Sequence, residues 1–110
     1  MGINIIILII SIYINVAFKK KKLNKIRIEL DKLDNSLIKI IKKRTNLVKK
    51  VLKLKEKKNQ IIDNKRIKAI LKNIRKKSIS NKIDPKITDR IWKNMIWSYI
   101  DYEKRNFKKK

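Results

Sequence analysis

Arg44 and Lys55 are eleven residues apart in "RTNLVKKVLKLK". On a helix that spacing is three turns with only about 20° of angular drift, so the two cations share a face. The face is an apolar one. Leu23, Ile26, Leu30, Leu33, Leu37 and Ile40 recur in alternating steps of three and four, the next step lands on Arg44, and the pattern resumes at Leu47, Val51 and Leu54. A guanidinium on such a seam can fix helix register or snorkel to the rim. Two unpaired cations aimed at a core are costly and call for an anion. No acidic residue of this segment lies between them, so a ligand could supply the missing charge. Glu103 is the second polar residue on an apolar side, following Trp92, Ile96 and Tyr99 at eleven, seven and four residues. Its simplest role is a pair with a lysine at a helix end. Arg66 and Arg27 are ambiguous alone. Arg27 lies seventeen residues before Arg44, roughly 25 Å along a straight helix. One small ligand cannot touch both in the same chain, so Arg27 joins a site around Arg44 only from an antiparallel second copy.

Composition narrows the chemistry. The 110 residues suit one domain, and they include no Cys or His, one Gly and one Pro. Disulfides, thiol nucleophiles, zinc sites built on Cys or His, and Ser-His-Asp mechanisms are excluded. A glycine-rich phosphate loop cannot be built from one glycine. Catalysis must use Lys, Arg, Asp, Glu and hydroxyls. The net charge of +24 suggests nucleic acid or an anionic membrane. Lysine heavily outnumbers arginine, however, whereas base readout and stacking favour arginine. The lysines are also spread along the whole chain among Ile and Asn. Solvated helix faces account for them, and no nucleic-acid partner is expected.

Three helices, long–short–long, position these residues. The three-four spacing from Leu23 to about Lys58, free of Gly and Pro, predicts one long amphipathic helix. It needs partners for its stripe, a second copy of the chain included. "NQIIDNKRIKAILKNIRKK" predicts a second helix with Asp63 as N-cap and a stripe of Ile67, Ile70, Leu71 and Ile74. "SISNKIDP" reads as the connection. Asp84 before Pro85 marks a third helix to about Phe107, burying Ile87, Ile91, Trp92, Met95, Ile96, Tyr99 and Ile100. No strand is expected, so the class is all-α. Residues 1–18, "MGINIIILIISIYINVAF", form a hydrophobic leader ending at Lys19–Lys22. It is at the short end for a membrane span. It fits an anchor, contacting the membrane through residues 1–18 with the domain at 19–110 in the cytoplasm, or an extension outside the working protein. A signal peptide fits less well, because no positive charge precedes the apolar run. Gly2 lacks the hydroxyl residue at position 6 that myristoylation wants.

From about Leu23 to Phe107 the chain resembles the all-helical, AroQ-type chorismate mutases. The resemblance rests on "LNKIRIELDKLDNSLIKIIKKRTNLVKKVLKLK", "IIDNKRIKAIL" and "IDPKITDRIWKNMIWSYIDYEK". Its specific part is Arg27, Leu33-Asp34, Arg44 and Lys55 at the family's spacing, then Asp63 and Arg66 at the head of the second helix. It implies an intertwined homodimer in which each site borrows an arginine from the other subunit, with Arg27 at that position. It places Arg44 and Arg66 on the carboxylates of a dianionic substrate, chorismate. Lys55 falls where the family's lysine bonds a carboxylate and the ether oxygen. Asp63 falls near the substrate hydroxyl, and Glu103 at the second donor to the ether oxygen. The implied reaction, chorismate to prephenate in aromatic amino-acid biosynthesis, is an intramolecular rearrangement needing no nucleophile, metal or cofactor. Two positions depart from the usual pattern. Ile67 stands where a substrate-contacting Glu is usual, and Tyr99 where a small polar residue is frequent. Both lean toward the related isochorismate pyruvate-lyases, which share the fold.

Overall fold

The computed structural model describes residues 2–109; Met1 and Lys110, with the side chains of Gly2 and Ile3, lie outside the described residues. Three α-helices follow one another: α1 (Gly2–Leu54), α2 (Asn64–Ser80) and α3 (Pro85–Asn106), with one 3-10 turn at Lys58–Gln60 before α2. The class is all-α, with no strand among the described residues. The chain forms two compact units, residues 1–42 and 43–110, and α1 contributes to both.

The first unit is helical throughout its described residues, and its apolar side chains are exposed. The expected start at Leu23 is corrected: α1 reaches back through Lys19–Lys22 and the leader to Gly2. Lysine is a good helix former, so a run of four ends an apolar stretch without ending a helix. Lys22 lies over the Phe18 ring, 4.7 Å from its centroid, across one turn. No helix of the described residues is long and apolar enough to cross a membrane. Leu23, Ile26, Leu30, Leu33 and Leu37 are all between 44% and 60% exposed.

The second unit holds the core. Ile61, Ile96 and Ile100 are buried, with Ile67, Ile70, Leu71 and Phe107 packed around them. The end of α1 also differs from expectation, falling at Leu54 rather than Lys58. Gln60 explains the early stop. Its side-chain oxygen accepts from the backbone N–H of Glu56 (2.7 Å) and of Lys57 (2.8 Å), satisfying donors the helix would otherwise have used. The chain then folds back and buries Ile61.

Both predicted caps form. Asp63 accepts from the Arg66 N–H at 3.0 Å, and Asp84 from the Lys86 N–H at 2.9 Å with Pro85 in the first turn. α2 runs on through Ser80, so part of the expected connection is helix. It closes with paired bonds from Lys82 N–H to Ile79 (3.1 Å) and Ile83 N–H to Ser78 (2.9 Å), leaving Lys82 left-handed at φ 57°. A side chain there is strained relative to glycine. Lys82→Gly is expected to raise stability by about 0.5–1 kcal/mol, measured by urea unfolding. Between α2 and α3, the buried Ser78 hydroxyl donates to the Ile74 carbonyl at 2.7 Å and meets the buried Thr88 hydroxyl at 2.6 Å. Ile96 and Ile100 are buried as expected, together with Thr88 and Glu103, whereas Ile87 and Ile91, expected inside, are exposed. The first half of α3 carries the apolar period but meets too little neighbouring surface to cover it.

Candidate active site

A cavity of about 270 Å³ opens between α1, α2 and α3 in the second unit. Seven of the residues singled out from the sequence line it: Arg44, Lys55, Asp63, Arg66, Ile67, Tyr99 and Glu103. Val48, Val51, Ile96 and Ile100 form apolar wall. The eighth, Arg27, is exposed in the first unit and does not line the cavity.

Each element delivers its residue for a local reason. α1 carries Arg44 at the seam position that its neighbours fill with apolar side chains. The cap at Asp63 starts α2 so that Arg66 and Ile67 lie in its first turn. α3 buries Ile96 and Ile100 against Ile61, and the same face carries Tyr99 and Glu103.

Lys55 sits beyond the end of α1, which corrects its expected place on the helix face. Its backbone N–H still bonds the Leu52 carbonyl at 3.2 Å. The ammonium therefore turns into the cavity from a short loop. There it donates to both carboxylate oxygens of Glu103 at 3.1 Å and reaches the Ile61 carbonyl at 3.5 Å. The partner absent from its own helix is thus on α3. With the side chains 18% and 8% exposed, this ion pair is largely withdrawn from water. A pair removed from water owes its stability to mutual bonding, and removing either member strands the other.

Arg44 differs. Its Nε is buried and has no hydrogen-bond partner. A buried donor left unpaired costs about 1–3 kcal/mol, and the residue that carries it lines the cavity. Thr45, the next residue, meets the Tyr99 hydroxyl at 2.8 Å and ties α1 to α3 across the site. Sequence reasoning missed Thr45 and Gln60. Nothing local distinguishes either, because their partners are set by tertiary packing.

The cavity thus combines a guanidinium with an unpaired buried donor, a second arginine at a helix start, and an ammonium–carboxylate pair, all against apolar wall. Such an arrangement is suited to a compact anion, with fixed donors beside apolar wall. It contains no Ser, Cys or His poised as a nucleophile. A family model described as chorismate mutase type II matches residues 26–104, most of the chain. No curated protein and no solved structure matches.

Proposed function

The chain belongs to the chorismate mutase type II family, and on that premise we propose that it converts chorismate to prephenate in the cavity around Arg44. The observation that carries the reading is the convergence of Arg44, whose buried Nε has no partner, with Lys55, Arg66 and Glu103 on one cavity. In this rearrangement the ether C–O bond breaks as a C–C bond forms, within one ring of six reacting atoms. No atom enters or leaves. The enzyme must hold a flexible dianion in the reactive chair, which is positional catalysis. It must also stabilise charge developing on the ether oxygen with fixed donors away from water. Arg44 and Arg66 take the carboxylates, with Asp63 shaping the rim beside them. Lys55 and Glu103 face the ether oxygen. Substrate binding has to draw Lys55 partly from Glu103, since at present both carboxylate oxygens face the ammonium.

The working site is completed by a second copy. The exposed stripe from Leu23 to Leu37 supports a pairing of first helices, since an amphipathic helix of this length buries its apolar face against a partner. Arg27 on the same segment then enters the partner's cavity. In this organisation residues 19–110 are the catalytic domain and 1–18 a leader, in keeping with a family match that begins at residue 26.

Ile67 supports one alternative. An apolar side chain lines the cavity next to Arg66, where an acid could grip a substrate hydroxyl. That favours isochorismate, with elimination of pyruvate on the same fold. Offering the chain chorismate and isochorismate in separate reactions and identifying the products tests both readings. Prephenate from chorismate is the expected result. Pyruvate and salicylate from isochorismate alone replaces it with the lyase, and no turnover of either sinks both.

Glu103 has its own signature. To donate to the ether oxygen its carboxyl must carry a proton. Glu103→Gln keeps a donor that needs no added proton, so it is expected to retain turnover of chorismate that Glu103→Leu loses. A glutamine variant as inactive as the leucine one removes Glu103 from the donor role.

A further inference from the structure

A second compartment adjoins the candidate site. Its volume is about 220 Å³, and it shares Arg44, Arg66 and Ile70 with the main cavity. What it adds is Asn73, Lys77 and Trp92, beside the apolar Ala69 and Ile74. Asn73 and Lys77 lie seven and eleven residues after Arg66, so each is within about 20° of Arg66 on α2 and about 40° from the other. α1 brings Arg44 to this row and α3 brings Trp92.

The electrostatics of the two compartments differ. The main cavity sets Arg44, Lys55 and Arg66 against Asp63 and Glu103. The second sets Arg44, Arg66 and Lys77 against no carboxylate among the described residues that line it. Lysines are abundant throughout the chain, but the compartment is selective: Lys72, Arg75 and Lys76 of the same helix do not line it. Three cations drawn from two helices repel one another unless an anion lies between them. The Arg44 guanidinium, whose buried Nε has no partner, belongs to both compartments. Asn73 adds an amide donor, and the half-buried Trp92 adds a wall.

We propose that this compartment is a separate binding site for a small tetrahedral oxyanion of phosphate size, with Lys77 and Asn73 as its own donors and Arg44 and Arg66 shared with the main cavity. Phosphate binding there does not depend on which reaction the main cavity carries. The shared guanidiniums couple the two sites. Two anions flanking the same cations repel, so phosphate weakens anion binding in the main cavity, and the effect is reciprocal.

Trp92 supplies the readout. The full chain is titrated with inorganic phosphate at constant ionic strength held by chloride, following tryptophan fluorescence. Line broadening of the phosphate phosphorus resonance is recorded in parallel, so that a silent tryptophan does not hide binding. Saturable binding is expected in the wild type and in Trp97→Phe, which removes the exposed second tryptophan. Lys77→Gln should weaken it about tenfold, a typical loss for one charge-assisted contact. Lys76→Gln should leave it unchanged. Both lysines are exposed, so neither variant threatens the fold. Absence of saturable binding by both measurements overturns the proposal. So does an equal loss in Lys76→Gln, which would mean diffuse attraction to a basic helix.

Discussion

Arg44→Ala is expected to lower kcat/KM for chorismate by about a thousandfold, some 4 kcal/mol of transition-state stabilisation. The size follows from position. Removal of one donor aimed at developing or fixed negative charge in a dry site typically costs two to three orders of magnitude. In the proposed role Arg44 also orients a substrate carboxylate, so both KM and kcat should suffer. Stability should move the other way. The folded chain keeps the Arg44 Nε buried without an acceptor, so alanine removes a desolvation cost along with the contact. A variant that unfolds at the same or higher urea concentration while losing its activity is the expected pattern. Matched losses of stability and activity would assign Arg44 to the scaffold instead.

Lys55→Met is expected to have a comparable effect on rate and the opposite effect on stability. The ammonium bonds both oxygens of the buried Glu103 carboxyl and reaches the Ile61 carbonyl, so it joins the loop after α1 to α3. Methionine keeps most of the side-chain volume but strands the carboxylate. Breaking a buried pair costs about 3–5 kcal/mol; with Lys55 partly exposed, roughly 2–3 kcal/mol is the appropriate expectation here. The second replacement separates scaffold from chemistry. Lys55→Met with Glu103→Leu exchanges the pair for apolar groups and should recover most of the stability. It should recover none of the rate, still at least a hundredfold down, because both of the proposed donors to the ether oxygen are gone. Urea unfolding read beside steady-state kinetics checks both. Activity returning with stability would contradict a chemical role for the pair.

How much of this was legible in the sequence depends on the range of the interaction responsible. Asp63 and Asp84 read correctly as helix starts because a cap is settled within three residues of itself. Arg44 and Glu103 stood out because each interrupts a local apolar period. Lys55 was legible as a member of the site but not in its true setting. Its release from α1 depends on Gln60 capturing two backbone donors and on Ile61 being buried, and only the folded chain reveals these. The Thr45–Tyr99 bond spans 54 residues and leaves no pattern in either segment. Ile87 and Ile91 mark the reverse failure. Their spacing promises a buried face, but periodicity says which side of a helix is apolar and not how much surface arrives to cover it. Where α1 begins was not legible, because the charge that follows the apolar leader resembles a boundary. To the backbone it is further helix.

The central claim is that an anion cage in one subunit is completed by Arg27 from another and rearranges chorismate. Mixing two inactive chains tests it most directly. Arg27→Ala lacks the lent residue, and Arg44→Ala lacks the resident one. Each alone should convert chorismate to prephenate at no more than about a thousandth of the wild-type rate. After mild unfolding and refolding together in equal amounts, half of the dimers carry one of each. Each mixed dimer then contains one intact site, so about a quarter of wild-type activity should return. A mixture no more active than its components would contradict the shared site.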